Sequence, residues 1–411
     1  MLCAPRPLFL ILVSLALCAL TACSDSEKSA ESWLDKDFSA YAQAAEGREV
    51  RWAMFGGWNH VNTWVDSYVS EQLQERYGID LVRVPMDASV FVNKLLNEKA
   101  AGKETGTIDL LWINGENFKK CREAEVLFGP FAAKLPNYQH NVDAASVAQD
   151  FGYAHQGYEA PWGRAQFVFE YDTRKTPSPP ETFAQLTTWI KKHPGRFTYP
   201  QPPDFTGSAF VRQAFTALTG GYKQYMHGFD QKLYSRQAPK LWAWLNEIEP
   251  HLWQSGQTYP KDSAALDTLF ARGEVLMSMS YHPPHAQNKI LEGTYPQSVR
   301  TFILDSGSLY NTHYTAIPWN APNKPGAMLT ANFLLSVQAQ VSKLKPANWG
   351  DFPVLDMKAL RPEQRERFQS VDLGPATLSP AFLAQRAVPE IPIAYLERLE
   401  EDWSTHVLHD H

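Results

Sequence analysis

Cysteine is scarce in this sequence. Only four of its 411 residues are cysteine, and Cys3, Cys18 and Cys23 lie in or directly after an apolar N-terminal stretch. If that stretch is removed, Cys121 is the one internal thiol of the chain. A single thiol excludes an internal disulfide, so stability must come from the hydrophobic core. The roughly 385 residues that remain are enough for two domains with cores of their own.

A long hydrophobic run is also missing. The apolar stretch Leu8–Leu20 has about 13 residues, whereas an apolar helix needs roughly 20 to span a bilayer. Arg6 precedes this stretch and small residues follow it, which is the pattern of a secretory signal. The residues up to Cys23, Leu-Thr-Ala-Cys, resemble the lipobox of bacterial lipoproteins, in which the cysteine is lipidated.

These features predict how the N-terminus is processed. We expect a signal peptide over residues 1–22, lipidation of Cys23 and a tether over residues 23–45. The protein would then work in the periplasm, anchored to a membrane by its lipid. An ordinary cleaved signal or an uncleaved anchor is the alternative.

Two further absences narrow the function. The formal net charge is −6, so there is no overall attraction to nucleic acid. The chain also lacks a phosphate-binding G-x-x-x-x-G-K-[ST] loop, an H-E-x-x-H helix and a G-x-S-x-G elbow. We therefore expect no enzyme activity and no cofactor. An exported glycoside hydrolase is the alternative from another class, with Glu116, Glu170 and Asp204 as candidate acids.

The N-terminal half alternates between strand and helix patterns. Residues 50–55, 79–84 and 108–113 are apolar runs typical of strands, and helical spacing of apolar residues ends before Gly78 and near Gly102. This order predicts right-handed crossovers and a parallel sheet in an α/β fold. Ligands of such sheets bind beyond the carboxyl ends of the strands. The loops there contain Gly57, Trp58, Asn114, Glu116 and Asn117.

Six segments in a fixed order carry a resemblance. They are FGGWNHVNTWV (55–65), DLLWINGENF (109–118), APWGR with FVFEYDT (160–173), PQPPDFTGSAFVRQAF (200–215), FARGEVLMSMSY (270–281) and AIPWNAPNKPGAMLTANFLLS (316–336). In this order the chain resembles the family 1 extracellular solute-binding proteins of ABC transporters. Within that family it is most similar to the YnjB-like branch.

The resemblance implies a type II periplasmic-binding-protein fold. Two lobes, each a mainly parallel sheet flanked by helices, would close over a ligand by hinge bending. Lobe I would comprise residues 46–166 and 312–345, and lobe II residues 167–311 and 346–411. The protein would act as a monomer that binds a small molecule and delivers it to permease and ATPase subunits.

The positions that match the family's cleft are the candidate ligand-binding residues. They are Gly57, Trp58, Asn114, Glu116, Asn117, Tyr171, Asp204, Thr206, Ser208, Tyr281, Asn311 and Tyr314. Several have a structural alternative. Glu116 would cap a helix, Asp204 would form an Asx turn, and Ser208 would cap the helix that it begins.

The ligand stays open between three classes. Aromatic residues with Glu116 and Asp204 favour an organic cation such as a thiamine-like compound or a polyamine. An anion would use helix N-termini with Arg164 or Arg212.

A metal carrier is the third class. Iron-binding relatives use adjacent tyrosines, and this sequence has no Tyr-Tyr pair. His282 with His285, and the terminal group His406, His409, Asp410 and His411, are the other metal candidates. We predict a loop and a solvated tail there and no metal site.

Overall fold

The computed structural model describes residues 33–408. The predicted signal peptide, Cys23 and residues 24–32 of the predicted tether lie outside the described residues, as do His409, Asp410 and His411. No helix within residues 33–408 has both the length and the apolar character that a membrane crossing requires.

Helices account for much of the described chain. In chain order they are α1 (Phe38–Ala45), α2 (Asn59–Trp64), α3 (Ser70–Tyr77), α4 (Ala88–Ala100), α5 (Gly115–Glu123), α6 (Pro136–Asn141), α7 (Phe183–Lys192), α8 (Phe205–Leu218), α9 (Gln231–Ile248), α10 (Ser263–Arg272), α11 (His285–Leu291), α12 (Lys324–Leu334), α13 (Val337–Leu344), α14 (Pro362–Gln369), α15 (Pro380–Ala384) and α16 (Ile393–His406). A π-helical turn, Val65–Val69, joins α2 to α3.

The strands form two main sheets and a short hairpin. They are β1 (Glu49–Met54), β2 (Asp80–Pro85), β3 (Leu110–Ile113), β4 (Leu127–Phe128), β5 (Gln149–Asp150), β6 (Tyr153–Ala154), β7 (Glu159–Gln166), β8 (Val168–Asp172), β9 (Met277–Ser280), β10 (Val299–Phe302), β11 (Ser308–Pro318) and β12 (Ala387–Pro389). The hairpin is β5 with β6.

The larger sheet has the order β12-β11-β3-β1-β2, and β4 and β7 also pair with β11. β1 is parallel to both β2 and β3, as the strand–helix alternation predicted. The helices between these strands end as expected. α3 ends before Gly78, whose φ of 62° is in the left-handed region that favours a residue without a Cβ atom.

The smaller sheet corrects one part of the prediction. Its order is β10-β8-β9, and β8 is antiparallel to both neighbours, so this lobe does not contain the mainly parallel sheet that we expected. The reason is the path of the chain. β8 enters the lobe directly from β7 with only Phe167 between them, and it runs opposite to the strands that join it later.

Two large hydrophobic clusters define the lobes. Lobe I is built on the larger sheet around Trp52, Trp162 and Phe333. Lobe II is built on the smaller sheet around Phe169 and Phe210. β7–β8 and the long strand β11 cross between them, which gives the two-lobed α/β architecture that the sequence predicted.

The C-terminal chain divides differently from the predicted 346–411. Residues from Trp349 to Leu383 pack mainly in the lobe I cluster, and those from Val388 to Val407 pack in lobe II. Lys343 of α13 holds the chain on lobe I, because its ammonium group donates to the Asp351 carboxylate at 2.6 Å and to the Phe352 carbonyl at 2.9 Å.

Candidate ligand-binding site

The lobes face each other across a short unpaired edge of β11. β12 pairs with this edge as far as Tyr310, and β3 pairs with it again from Tyr314 onward. The intervening residues 311–313 have no strand partner on that edge. Because β12 runs parallel to β11 and β3 runs antiparallel, the carboxyl ends of both point into this interlobe gap. Carboxyl ends of strands are where α/β sheets bind ligands.

Segments of both lobes line the gap. A cavity of about 240 Å³ is bounded by Asp150, Phe151, Asn311, Met226 and Glu390, among others. Asp150 and Phe151 come from the β5–β6 hairpin of lobe I, and Glu390 directly follows β12. The carboxylate of Asp150 accepts a hydrogen bond from the backbone N–H of Gly115, which fixes the hairpin to the loop after β3.

A buried ion pair forms the lobe II wall. The Arg212 guanidinium donates to both Glu390 oxygens, at 2.8 and 2.9 Å, and the Tyr281 hydroxyl donates to the same carboxylate at 2.7 Å. Arg212 also donates to the Ser208 hydroxyl at 2.6 Å, and Ser208 in turn donates to Glu400 at 2.5 Å. α8 supplies Ser208 and Arg212 one turn apart, so this bidentate network is rigid.

The lobe I side has carboxyl groups that form no ion pair among the described residues, although the charge of Arg122 acts on one of them, Glu159. Neither oxygen of Glu159 and only one oxygen of Asp150 has a hydrogen-bond partner, and both side chains are buried. Burial raises the pKa of Asp150 well above its ordinary value against the effect of the Gly115 N–H, and the charge of Glu390 raises it further. Burial and the charge of Asp150 likewise raise the pKa of Glu159. Among the described residues, the site therefore has more acidic groups than ion-paired guanidinium groups, because Arg212 pairs with Glu390 alone.

Asn311 is the polar group on the floor of the gap. It is 5% exposed, and neither its amide oxygen nor its amide nitrogen has a hydrogen-bond partner among the described residues. Buried amides are normally satisfied, because an unmade hydrogen bond is costly. An unpartnered amide at a cavity is therefore available to a ligand.

Aromatic rings of the two lobes also meet at the interface. Trp58 of lobe I lies 5.8 Å from the His282 ring of lobe II and 6.3 Å from Trp112, measured between ring centroids. Gly57 allows this arrangement, because a Cβ atom there would come 2.3 Å from the ring of Phe55.

The structure brings seven of the twelve predicted site residues to this interface. They are Trp58 with Gly57, Asn114, Ser208, Tyr281, Asn311 and Tyr314. Tyr314 is fully buried, and its hydroxyl donates to the Val147 carbonyl at 2.8 Å, next to the hairpin that contains Asp150.

The other predicted residues have local roles. Asp204 caps α8, because one carboxylate oxygen accepts from the N–H groups of Thr206 and Gly207, both at 2.9 Å. Glu116 is half-exposed and accepts from Lys120 at 3.3 Å, one turn along α5. Asn117 is half-buried on the same helix.

Tyr171 lies away from the gap. It pairs with Met277 at the far end of β9, whereas Ser280 at the near end pairs with Val168. Its ring packs against Phe302 at 5.5 Å. Of the acids considered for a glycoside hydrolase, Glu170 also lies away from the gap. It forms a hydrogen bond with the His285 ring inside lobe II, at 2.8 Å.

Sequence reasoning missed the carboxyl groups of the site. Asp150, Glu159, Glu390 and Glu400 were not among the predicted residues, and Arg212 was named only for an anion. One signal was available. Glu159 begins the apolar run Glu-Ala-Pro-Trp, and a carboxyl group inside a buried strand is rarely there without a function.

Comparison with known proteins bears on the family and the fold. A family model described as "Bacterial extracellular solute-binding protein" matches residues 69–363. Protein YnjB of Escherichia coli (strain K12) is 37% identical over 369 residues, which cover 89% of this chain and 93% of the relative.

Solved structures share the fold at low identity. An ABC transporter protein from Clostridium perfringens has a TM-score of 0.60 and 18% identity, covering 87% of this chain and 98% of its own. The spermidine/putrescine substrate-binding protein PotD from Streptococcus pneumoniae has a TM-score of 0.63 and 12% identity, covering 87% and 99%.

These matches confirm the resemblance that the six sequence segments indicated. The family model and the E. coli relative each cover most of the chain, and the solved structures have the same two-lobed fold. The chain therefore belongs to the family of bacterial extracellular solute-binding proteins.

Proposed function

We propose that this protein is the substrate-binding lipoprotein of an ABC importer and that it captures a small organic cation in the interlobe gap. A periplasmic monomer, anchored through lipid on Cys23, would close over the cation and deliver it to the permease. The associated ATPase subunits would drive transport, and the cargo would leave unchanged.

The excess of carboxyl groups carries the choice of a cation. Asp150 and Glu390 line the gap, Glu159 interacts electrostatically with Asp150, and Glu400 accepts a hydrogen bond from Ser208. Arg212 forms its ion pair with Glu390. An unpaired buried carboxylate is strongly disfavoured unless a positive charge accompanies it. A bound ammonium or similar cation would supply that charge, and the rings of Phe151 and Tyr281 would contact its apolar part.

The names of structural neighbours leave the ligand class open. PotD and a protein from Listeria monocytogenes are named for spermidine and putrescine, whereas AfuA from Actinobacillus pleuropneumoniae holds fructose-6-phosphate. The fold therefore accommodates either charge, and the residues of the gap must decide. Arg212 argues against an anion, because Glu390 and Ser208 already accept three of its hydrogen bonds.

Ligand-dependent thermal unfolding of the full chain tests the proposal. The panel contains spermidine, putrescine and thiamine as cations, phosphate and sulfate as anions, and ferric citrate as a metal source. A ligand at about 1,000 times its Kd adds roughly 4 kcal/mol to the free energy of unfolding, which raises Tm by several degrees. We expect such a shift with a cation and none with the anions.

Two neighbouring residues of α16 provide a matched pair of variants. Glu400 faces Ser208 in the site, whereas Glu401 is exposed and pairs with Arg398. Glu400→Gln should weaken binding of the cation about tenfold, the usual effect of losing one charge-assisted hydrogen bond. Glu401→Gln should leave Kd unchanged. A response to anions or ferric citrate alone, or equal effects of the two variants, would contradict the proposal.

A further inference from the structure

A second and larger cavity lies beside the crossing strands. Its volume is about 880 Å³, within the range of sites for drug-sized ligands. β7, β11 and β12 form one wall, and the chain from Phe352 to Ala384 forms the other. Tyr310 and Pro389 separate it from the interlobe gap, because they line both spaces.

Most of this wall is apolar. Leu344, Phe352, Met357, Phe368 and Leu373 line the cavity from lobe I. The alanines of α15, at positions 381 and 384, line it where the chain is exposed to solvent. An apolar ligand could therefore enter beside α15 and bury a hydrocarbon chain along the larger side chains.

Two arginines give the cavity a positive charge. Arg164 and Arg365 both line it and are both half-buried. No aspartate or glutamate lines this cavity, and neither arginine forms an ion pair within residues 33–408. Arg164 donates one side-chain hydrogen bond, to the neutral Ser146 hydroxyl at 3.1 Å, and its Nε is shielded from solvent without a partner.

We propose that this cavity is a second binding site, for an amphipathic organic anion with one carboxylate on an apolar chain. The carboxylate would bind Arg164 and Arg365, since guanidinium groups match carboxylates in geometry and charge. The chain would occupy the apolar wall. This ligand is opposite in charge to the one proposed for the interlobe gap, so the two sites can be tested separately.

Calorimetric titration of the full chain with dodecanoate, in detergent-free buffer, tests this site. Dodecyltrimethylammonium has the same chain with a positive headgroup, and acetate has the headgroup without the chain. We expect one equivalent of dodecanoate to bind and neither comparison compound to compete. Arg164→Gln and Arg365→Gln should each weaken dodecanoate binding about tenfold.

Two further variants separate the site from general effects on the protein. Arg367 is exposed on α14, the same helix as Arg365, and does not line the cavity, so Arg367→Gln should keep the parental Kd. Ala384→Phe narrows the cavity at an exposed position and should abolish binding without loss of Tm. Equal affinity for both headgroups, no binding of dodecanoate, or binding that survives Arg164→Gln and Ala384→Phe would overturn the proposal.

Discussion

The buried charges inside the lobes have partners of opposite sign, whereas two of the carboxyl groups at the interlobe gap do not. In lobe I, the Lys343 ammonium donates to Asp351 and to two backbone carbonyls, at 2.6 to 2.9 Å. In lobe II, the His285 ring lies between Glu170 at 2.8 Å and Asp267 at 3.1 Å. Among the described residues, Asp150 and Glu159 form no ion pair, and the charge of Arg122 offsets only part of the rise in the pKa of Glu159.

The difference separates two uses of a buried charge. A paired charge holds its own segments together, and removal of one partner leaves the other exposed to a large desolvation penalty. An unpaired carboxyl group at a gap lowers the stability of the fold when it is ionised, but it is available to a ligand. The group of Glu170, Asp267 and His285 could also hold a metal ion by its geometry. Because the imidazole already contacts both carboxylates, we interpret this group as structural.

The largest effect on stability should come from breaking the lobe I pair. Lys343→Met keeps the apolar stem but leaves Asp351 buried without its cation. We expect the free energy of unfolding to fall by about 3–5 kcal/mol, as measured by urea denaturation. Lys345→Met, at an exposed position two residues away, should change it by less than about 0.5 kcal/mol. If Lys343→Met hardly changes the free energy of unfolding, paired charges inside the lobes do not stabilise the fold, and their contrast with the unpaired carboxyl groups of the gap is lost.

A smaller effect that depends on pH should come from His285. Burial lowers the pKa of this imidazole, but the charges of Asp267 and Glu170 outweigh it and raise the pKa to about 10. Its stabilisation is therefore complete below the ordinary value of about 6.5 and is lost as the pH rises through about 10.

His285→Gln should thus cost about 3 kcal/mol at pH 6 and much less at pH 10, measured by urea denaturation at both pH values. His140 is exposed, and its ring makes a hydrogen bond with the Pro136 carbonyl, so His140→Gln is the control. A cost that does not change with pH would show that the charge of His285 is not what stabilises lobe II.

The smallest effect on stability should come from Asp150 at the interlobe gap, and here the substitution should stabilise the protein. The pKa of Asp150 is raised in the folded protein. Ionisation of this carboxyl group therefore lowers the free energy of unfolding as the pH rises above the ordinary pKa of about 4. Asp150→Asn should therefore be about 1 kcal/mol more stable than the parent at pH 8 and equal to it near pH 4.

The exposed Asp87 provides the comparison for this change. Urea denaturation of Asp87→Asn should show no gain between the two pH values. If Asp150→Asn is less stable at pH 8, the carboxylate of Asp150 is paired in the folded protein, and the argument for an external cation fails.

Local sequence patterns predicted the strands that position the site. β1, β2 and β3 begin and end within two residues of the predicted runs, because apolar alternation and terminal glycines are properties of short segments. The antiparallel sheet of lobe II was not predicted. The direction of a strand depends on where the chain crosses between lobes, and no single segment encodes that path.

The site residues show the same contrast between features of a short segment and features that depend on distant parts of the chain. Ser208, Tyr281 and Asn311 were predicted because they match the family's cleft positions, and the structure brings them to the gap. Glu390 was missed because its partner Arg212 is 178 residues away. Asp204 was expected at the ligand, but its short side chain satisfies the first N–H groups of its own helix.

The position of Glu390 and Glu400 in the chain bears on when the protein can bind. Both follow β12, the last strand, whereas Arg212 and Ser208 belong to a helix formed much earlier. N-terminal parts of a chain tend to fold first during synthesis. A chain completed only as far as Pro389 has no acidic wall on lobe II. With this order, the acidic wall of lobe II is complete only when the last part of the chain packs against α8.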